Sequence, residues 1–154
     1  MIIDESYMMK VIRKSRELIY QNESPFAAGI LFEDVFIING NQSRTKRNPI
    51  LHAEIACINS FCEQFDCVSL QNATIYSSCE PCLMCFHAIF NAGIKRIVYG
   101  ATIDDAIRFN SGDIPIHIKE YTKKMKLNID ISGEVLRKEA IDVFNECILY
   151  RGDL

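Results

Sequence analysis

No apolar run in these 154 residues approaches the roughly 20 that a helix needs to cross a bilayer, so no membrane-spanning segment is expected. A secretory signal is missing as well. In the opening MIIDESYMMK, Asp4 and Glu5 stand where such a signal places basic residues ahead of an apolar stretch. These two absences predict a soluble, cytoplasmic protein with no membrane partner. Repeats, low-complexity tracts and linker-like stretches are also lacking, and the length does not suggest a second unit, so residues 1–154 are read as a single domain. Positive charge is not in excess. With 17 Lys and Arg against 20 Asp and Glu, the net charge of −3 argues against a general nucleic-acid-binding surface and leaves room only for a local basic patch. What the chain does have is 49% apolar residues, enough for a sizeable core, and seven cysteines. An odd number without an export signal reads as reduced thiols, some of them candidate metal ligands, in preference to a disulfide framework.

The pattern alternates helices and strands. Met8, Val11, Ile12, Ser15, Leu18 and Ile19 recur at helical spacing behind the candidate caps Asp4 and Ser6, predicting a first helix that buries one face and ends near Gln21. PFAAGILFEDVFIING reads as two strands with a turn at Glu33-Asp34, closed by the turn-forming pair Asn39-Gly40, and NQSRTKRNPIL as a loop. Residues 52 to 64 read as a helix and ATIYSS as a strand. Pro81 to about Asn91 reads as a buried helix, apolar on nearly every side and stopped by Gly93. KRIVYGA is a further strand, 115 to 124 a short helix, LNIDI a last strand and GEVLRKEAIDVFNECIL a terminal amphipathic helix. The stretch from Thr102 to Pro115 has no readable period. Such alternation predicts an α/β arrangement around one sheet.

Within CEPCLMC, Cys79, Cys82 and Cys85 are each separated by two residues. With Pro81 at the first helical position, Cys82 and Cys85 fall one turn apart on one face, where both sulfurs reach a single ion, and Cys79 precedes that turn. Free amides at a helix start favour thiolates. A C-x-x-C pair is equally compatible with a redox dithiol or with two packed cysteines. HAEIACI, which begins thirty positions before Cys82, decides among them. His52 opens a helix and Glu54 lies in its first turn. H-x-E followed by P-C-x-x-C is the signature of zinc nucleobase deaminases, and His52, Glu54, Pro81, Cys82 and Cys85 match it at every specified position.

One imidazole and two thiolates fill three tetrahedral positions on Zn²⁺ and leave the fourth for water, whose pKa the ion lowers toward about 7. A carboxylate near the metal but not bound to it can carry a proton from that water to the ring and then to the departing amine; Glu54 is the candidate. Cys79 is the rival fourth ligand. If it displaced the water, the site would be closed and the chain a non-enzymatic zinc domain. His87 points away from the ligand face and reads as a packing or supporting residue, and His117, Cys57, Cys62, Cys67 and Cys147 read as structural.

NPILHAEIACI together with ATIYSSCEPCLMCFHAIFNAGIKRIVYGA resembles the cytidine deaminase-like superfamily, in its branch of guanine deaminases and tRNA adenosine deaminases, over roughly residues 5 to 106. The resemblance implies a three-layer α/β/α sandwich with a central mixed five-stranded sheet, a CMP/dCMP-type deaminase domain over residues 1–154, one catalytic zinc per chain and a homodimer. It also implies a substrate-binding asparagine eleven positions before the zinc histidine, where Asn41 stands; read by itself, Asn41 is a turn residue after Asn39-Gly40. SSCEPCLMC looks more like the guanine deaminases, since the tRNA enzymes usually have an apolar residue at the position of Cys79. TIDDAIRFN keeps the Asp-Ala of the guanine branch, but RFNSGD replaces the usual Gly-Phe-Asp-Asp, so the base-contacting acid falls to Asp113. The glycine- and serine-containing pattern of the tRNA enzymes is absent. Arg44, Lys46 and Arg47 are candidate phosphate contacts or a solvated charged loop. The substrate expected is a free nucleobase or nucleoside of guanine type, with tRNA adenosine and cytosine or cytidine as the alternatives.

Overall fold

The computed structural model describes residues 3–67 and 69–154. Eleven elements follow in the order α1 (Ile3–Ile19), β1 (Ala27–Phe32), β2 (Val35–Gly40), α2 (Ala53–Phe65), β3 (Thr74–Cys79), α3 (Leu83–Asn91), β4 (Arg96–Ala101), α4 (Ile103–Arg108), α5 (Ile118–Lys124), β5 (Asp130–Ser132) and α6 (Arg137–Arg151). The five strands form one sheet in the order β2-β1-β3-β4-β5. β1 is antiparallel to β2 and β3, whereas β3, β4 and β5 run parallel, so the sheet is mixed.

Alternation along the strands divides the core into two. Ala27, Tyr76 and Val98 face the layer of α1 and α6, where Met8, Val11, Ile12, Val143 and Phe144 are buried. Ala28, Ile30, Ile75, Ile97 and Tyr99 face the layer of α2 and α3, against Cys57, Phe61, Phe86 and Ile89. This is the three-layer sandwich that the resemblance implied. In α1 the buried residues are the six that periodicity singled out. No described helix is long and apolar enough to cross a membrane.

Several local expectations are corrected. α1 begins at Ile3, so Asp4 and Ser6 lie inside it and do not cap it. Asn39-Gly40 is the end of β2, paired with Ala28 and Ala27, because cross-strand bonding outweighs the turn preference of the dipeptide. The helix expected from Pro81 starts at Leu83, with Cys82 extended at its cap. The unreadable stretch after Thr102 contains α4, opened by a capping box in which Thr102 and Asp105 bond reciprocally. That helix has only six residues, too few to show a period. The terminal helix begins at Arg137, later than the pattern suggested. Gly93, with φ +84°, does stop α3.

Candidate active site

The site forms where two helix starts meet at the carboxyl end of β3. His52 is the extended cap of α2, and Cys82 caps α3 one turn before Cys85. His52 Nδ1 lies 3.7 Å from Cys82 Sγ and 3.6 Å from Cys85 Sγ, and the three ligand atoms are all within 4.8 Å of one another. Tetrahedral zinc with ordinary Zn–N and Zn–S bonds places a nitrogen and a sulfur about 3.6 Å apart. The donor set and its spacing therefore fit zinc. The Cys82 thiol is pulled down to about 4, first by its hydrogen bond with Cys85 and then by His52, while burial opposes the shift. The same contact, with burial, pushes Cys85 up, and the Cys82 contact raises His52. The three groups therefore share protons as a unit.

Glu54, in the first turn of α2, is buried and accepts a 2.8 Å hydrogen bond from the Ser77 hydroxyl on β3. Desolvation raises its pKa, and the Cys82 charge adds to this; Ser77 works the other way. A cavity of about 210 Å³ brings Glu54, His52 and Cys82 together with Asn41, Glu80 and Asp113. All six sequence-predicted site residues thus lie at one place, with Cys85 buried behind the ligand pair.

Asn41 is buried at the end of β2, and its Oδ1 accepts from Ser43 N–H at 2.8 Å. It is both the turn residue and a cavity residue. Cys79 also borders the cavity, but its sulfur lies 3.5 Å from the Thr102 carbonyl and outside the metal-ligand cluster. The closed four-ligand reading fails on this geometry. His87 bonds Tyr121 Oη at 2.9 Å on the surface of α3, away from the ligands.

Two buried carboxylates that hold the segments around the cavity, Glu80 and Glu23, escaped sequence reading. Glu80, between Cys79 and Pro81, accepts from Ile103 N–H at 3.1 Å and Ile118 N–H at 2.8 Å, and lies 3.1 Å from His117 Nδ1. It therefore anchors the starts of α4 and α5 and, between them, the segment that carries Asp113. Burial disfavours a charged His117, but the hydrogen bonds and charges of Glu80 and Asp104 together outweigh it and raise the pKa. Glu23 accepts from the N–H groups of Ser24, Arg44 and Thr45 and so holds the loop that follows Asn41. The usable signal for Glu80 was its place inside the ligand motif; Glu23 offered none.

The family described as the cytidine and deoxycytidylate deaminase zinc-binding region matches residues 1–101. The chain belongs to this family. The deaminase is 26% identical over 148 positions to a tRNA-specific adenosine deaminase of Rickettsia typhi, covering 80% of this chain and all of the relative. It is 36% identical over 100 positions to a guanine deaminase of Bacillus subtilis, covering 64% of each chain. Among solved structures, a guanine deaminase from Nitrosomonas europaea superposes with a TM-score of 0.83 at 25% identity, over 93% of this chain and 83% of that one. The protein is accordingly a hydrolytic deaminase of a zinc-binding family, with His52, Cys82 and Cys85 positioned to bind a metal ion.

Proposed function

We propose that this deaminase acts on a free nucleobase or nucleoside of guanine type, converting guanine to xanthine with release of ammonia. The observation that carries the reading is the meeting of Glu54, Asn41 and Asp113 around one cavity beside the ligand set. Bound zinc supplies activation of the attacking water. Glu54 accepts a proton from that water as oxygen bonds to C2, and delivers it to the adjacent ring nitrogen. It then takes the remaining proton from the hydroxyl now on C2 and passes it to the exocyclic amine; the C2 carbonyl forms, the C2–N bond breaks and ammonia leaves. The apolar surroundings that raise the Glu54 pKa favour its protonated form midway.

Asp113 and Asn41 account for the choice of base. A carboxylate accepts hydrogen bonds only, so Asp113 favours a ring edge rich in N–H donors, which guanine presents and adenine lacks at N1. The Asn41 Oδ1 is engaged by Ser43, leaving its amide nitrogen as the group to meet a base acceptor. A base that left either group unpaired would bind poorly. The similarity to the Bacillus guanine deaminase supports this reading. We also read the protein as a cytoplasmic homodimer with one zinc per chain.

The test is ammonia release measured side by side on guanine, guanosine, adenosine in a tRNA anticodon stem-loop, cytosine and cytidine. Turnover of guanine or guanosine with weak or no inosine formation is expected. A second reading, deamination of tRNA adenosine, draws on the Rickettsia relative and on the exposed Lys46 and Arg47 in the loop after Asn41. Efficient inosine formation with guanine and guanosine inert would establish it in place of the first.

A further inference from the structure

A second cavity, of about 360 Å³, lies beside the base cavity, and the two share Ser24, Phe26 and Ser111 in their walls. The deamination chemistry uses none of it. Phe109 and Ile148 give it apolar sides, and Asn110, Arg44 and Asp153 line the rest. Asp153 gives this space its chemistry. Its Oδ1 receives Arg151 Nε at 3.1 Å and its Oδ2 lies 3.4 Å from Arg44 Nη2, so two guanidinium groups from distant parts of the chain hold one carboxylate. The segment is fixed further by Arg44 donating to the Leu154 carbonyl and by Cys147 Sγ donating to the Asp153 carbonyl at 3.1 Å. Arg151 Nη1 donates to the Glu23 carbonyl at 2.6 Å, which ties this end of α6 to the segment between α1 and β1. Gly152, with φ +86°, makes the turn that brings Asp153 back over the cavity.

Both arginines contact Asp153 and make their other hydrogen bonds to the Leu154 and Glu23 carbonyls, so what the cavity offers a ligand is an oriented acceptor flanked by serine and asparagine. An anion entering here would meet a carboxylate. Sugar hydroxyls meet a partner, since a carboxylate that accepts from a ribose hydroxyl is a recurrent device in nucleotide recognition. The two apolar side chains suit the faces of the sugar ring.

We propose that the second cavity is a ribose subsite and that the deaminase takes its base as a nucleoside, with Asp153 accepting hydrogen bonds from the sugar. This rests on the deaminase reading of the neighbouring cavity. The test compares kcat/KM for guanine with guanosine, adenine with adenosine and cytosine with cytidine, and includes guanosine 5′-monophosphate. For the reactive pair, the nucleoside is expected to exceed the base by roughly ten-fold or more, the worth of a hydrogen bond to a charged group. Asp153→Ala should remove that advantage and leave the rate on the free base unchanged. Thermal melting checks that the variant is folded; should it unfold, Asp153→Asn and the ratio measured on the unaltered protein decide. A free base turned over as well as its nucleoside would overturn the ribose subsite while leaving the deaminase reading intact. So would an equal loss on base and nucleoside in Asp153→Ala. A monophosphate preferred to the nucleoside would overturn the Asp153 assignment, and ammonia from none of the pairs would remove both readings together.

Discussion

Glu54 occupies a position where a carboxylate is costly: buried, close to the charge of Cys82 and held by one hydroxyl. A purely structural zinc site has no need of such a group, so its substitution separates catalysis from architecture. Glu54→Gln keeps shape and removes the titrating group. We expect a folded, zinc-loaded protein whose deaminase rate is lowered by at least about 10²–10⁴-fold, as for loss of general acid–base catalysis. Turnover within a few-fold of the parent would rule out the proton-shuttle role. At the ligand positions, His52→Ala, Cys82→Ala and Cys85→Ala are each expected to lose metal by elemental analysis. Cys79→Ser should retain it, because that sulfur faces the Thr102 carbonyl.

At the scale of elements, α4 is too short to be stable by itself and is held by Asp105. The Asp105 carboxylate accepts from Thr102 N–H at 2.9 Å and Thr102 Oγ1 at 2.8 Å, and receives a two-point contact from Arg137 of α6 at 2.8 and 2.9 Å. The Arg137 bond, chiefly, lowers its pKa to about 2. Asp105→Ala removes part of the capping box and the two-point contact of Arg137, leaving that arginine only Glu134, and should cost about 2 kcal/mol in urea denaturation at neutral pH. The sign of its pH dependence follows from the lowered pKa. The ionised group stabilises the fold at every pH above the ordinary carboxylate value of about 4, and that contribution fades as pH falls toward about 2. The stability difference between the parent and Asp105→Ala should therefore shrink from pH 5 downward. A constant difference across that range would remove the linkage.

For the whole molecule, the zinc ligands join two helices that the chain separates by a strand. His52 comes from the start of α2 and the two cysteines from the start of α3, with β3 between them in sequence. A bound ion therefore cross-links elements of the folded state that the unfolded chain keeps apart, and binding free energy adds to folding free energy. Chelation is expected to lower the melting temperature by several degrees as well as abolish turnover, and added zinc should restore both; an unchanged melting temperature would mean that the ion contributes nothing to the fold. The homodimer reading is checked by light scattering, with twice the 17.6 kDa chain mass expected.

What the sequence determined by itself was local in origin. Helical spacing marked the buried face of α1, and ligand chemistry with one-turn spacing marked Cys82 and Cys85, because both depend on residues a few positions apart. His52 and Glu54 were legible for the same reason, as members of a recognisable motif at a helix start. The tertiary structure alone decided that Asn41, by itself a turn residue, and Asp113, from a stretch with no readable period, reach the same cavity. It also decided that Asn39-Gly40 pairs in the sheet, that Glu80 anchors α4 and α5, and that Asp153 returns beside Arg44. Each of these rests on a partner far along the chain. Such pairings follow from the joint packing of the sheet and both helix layers, and no periodicity within one segment encodes them.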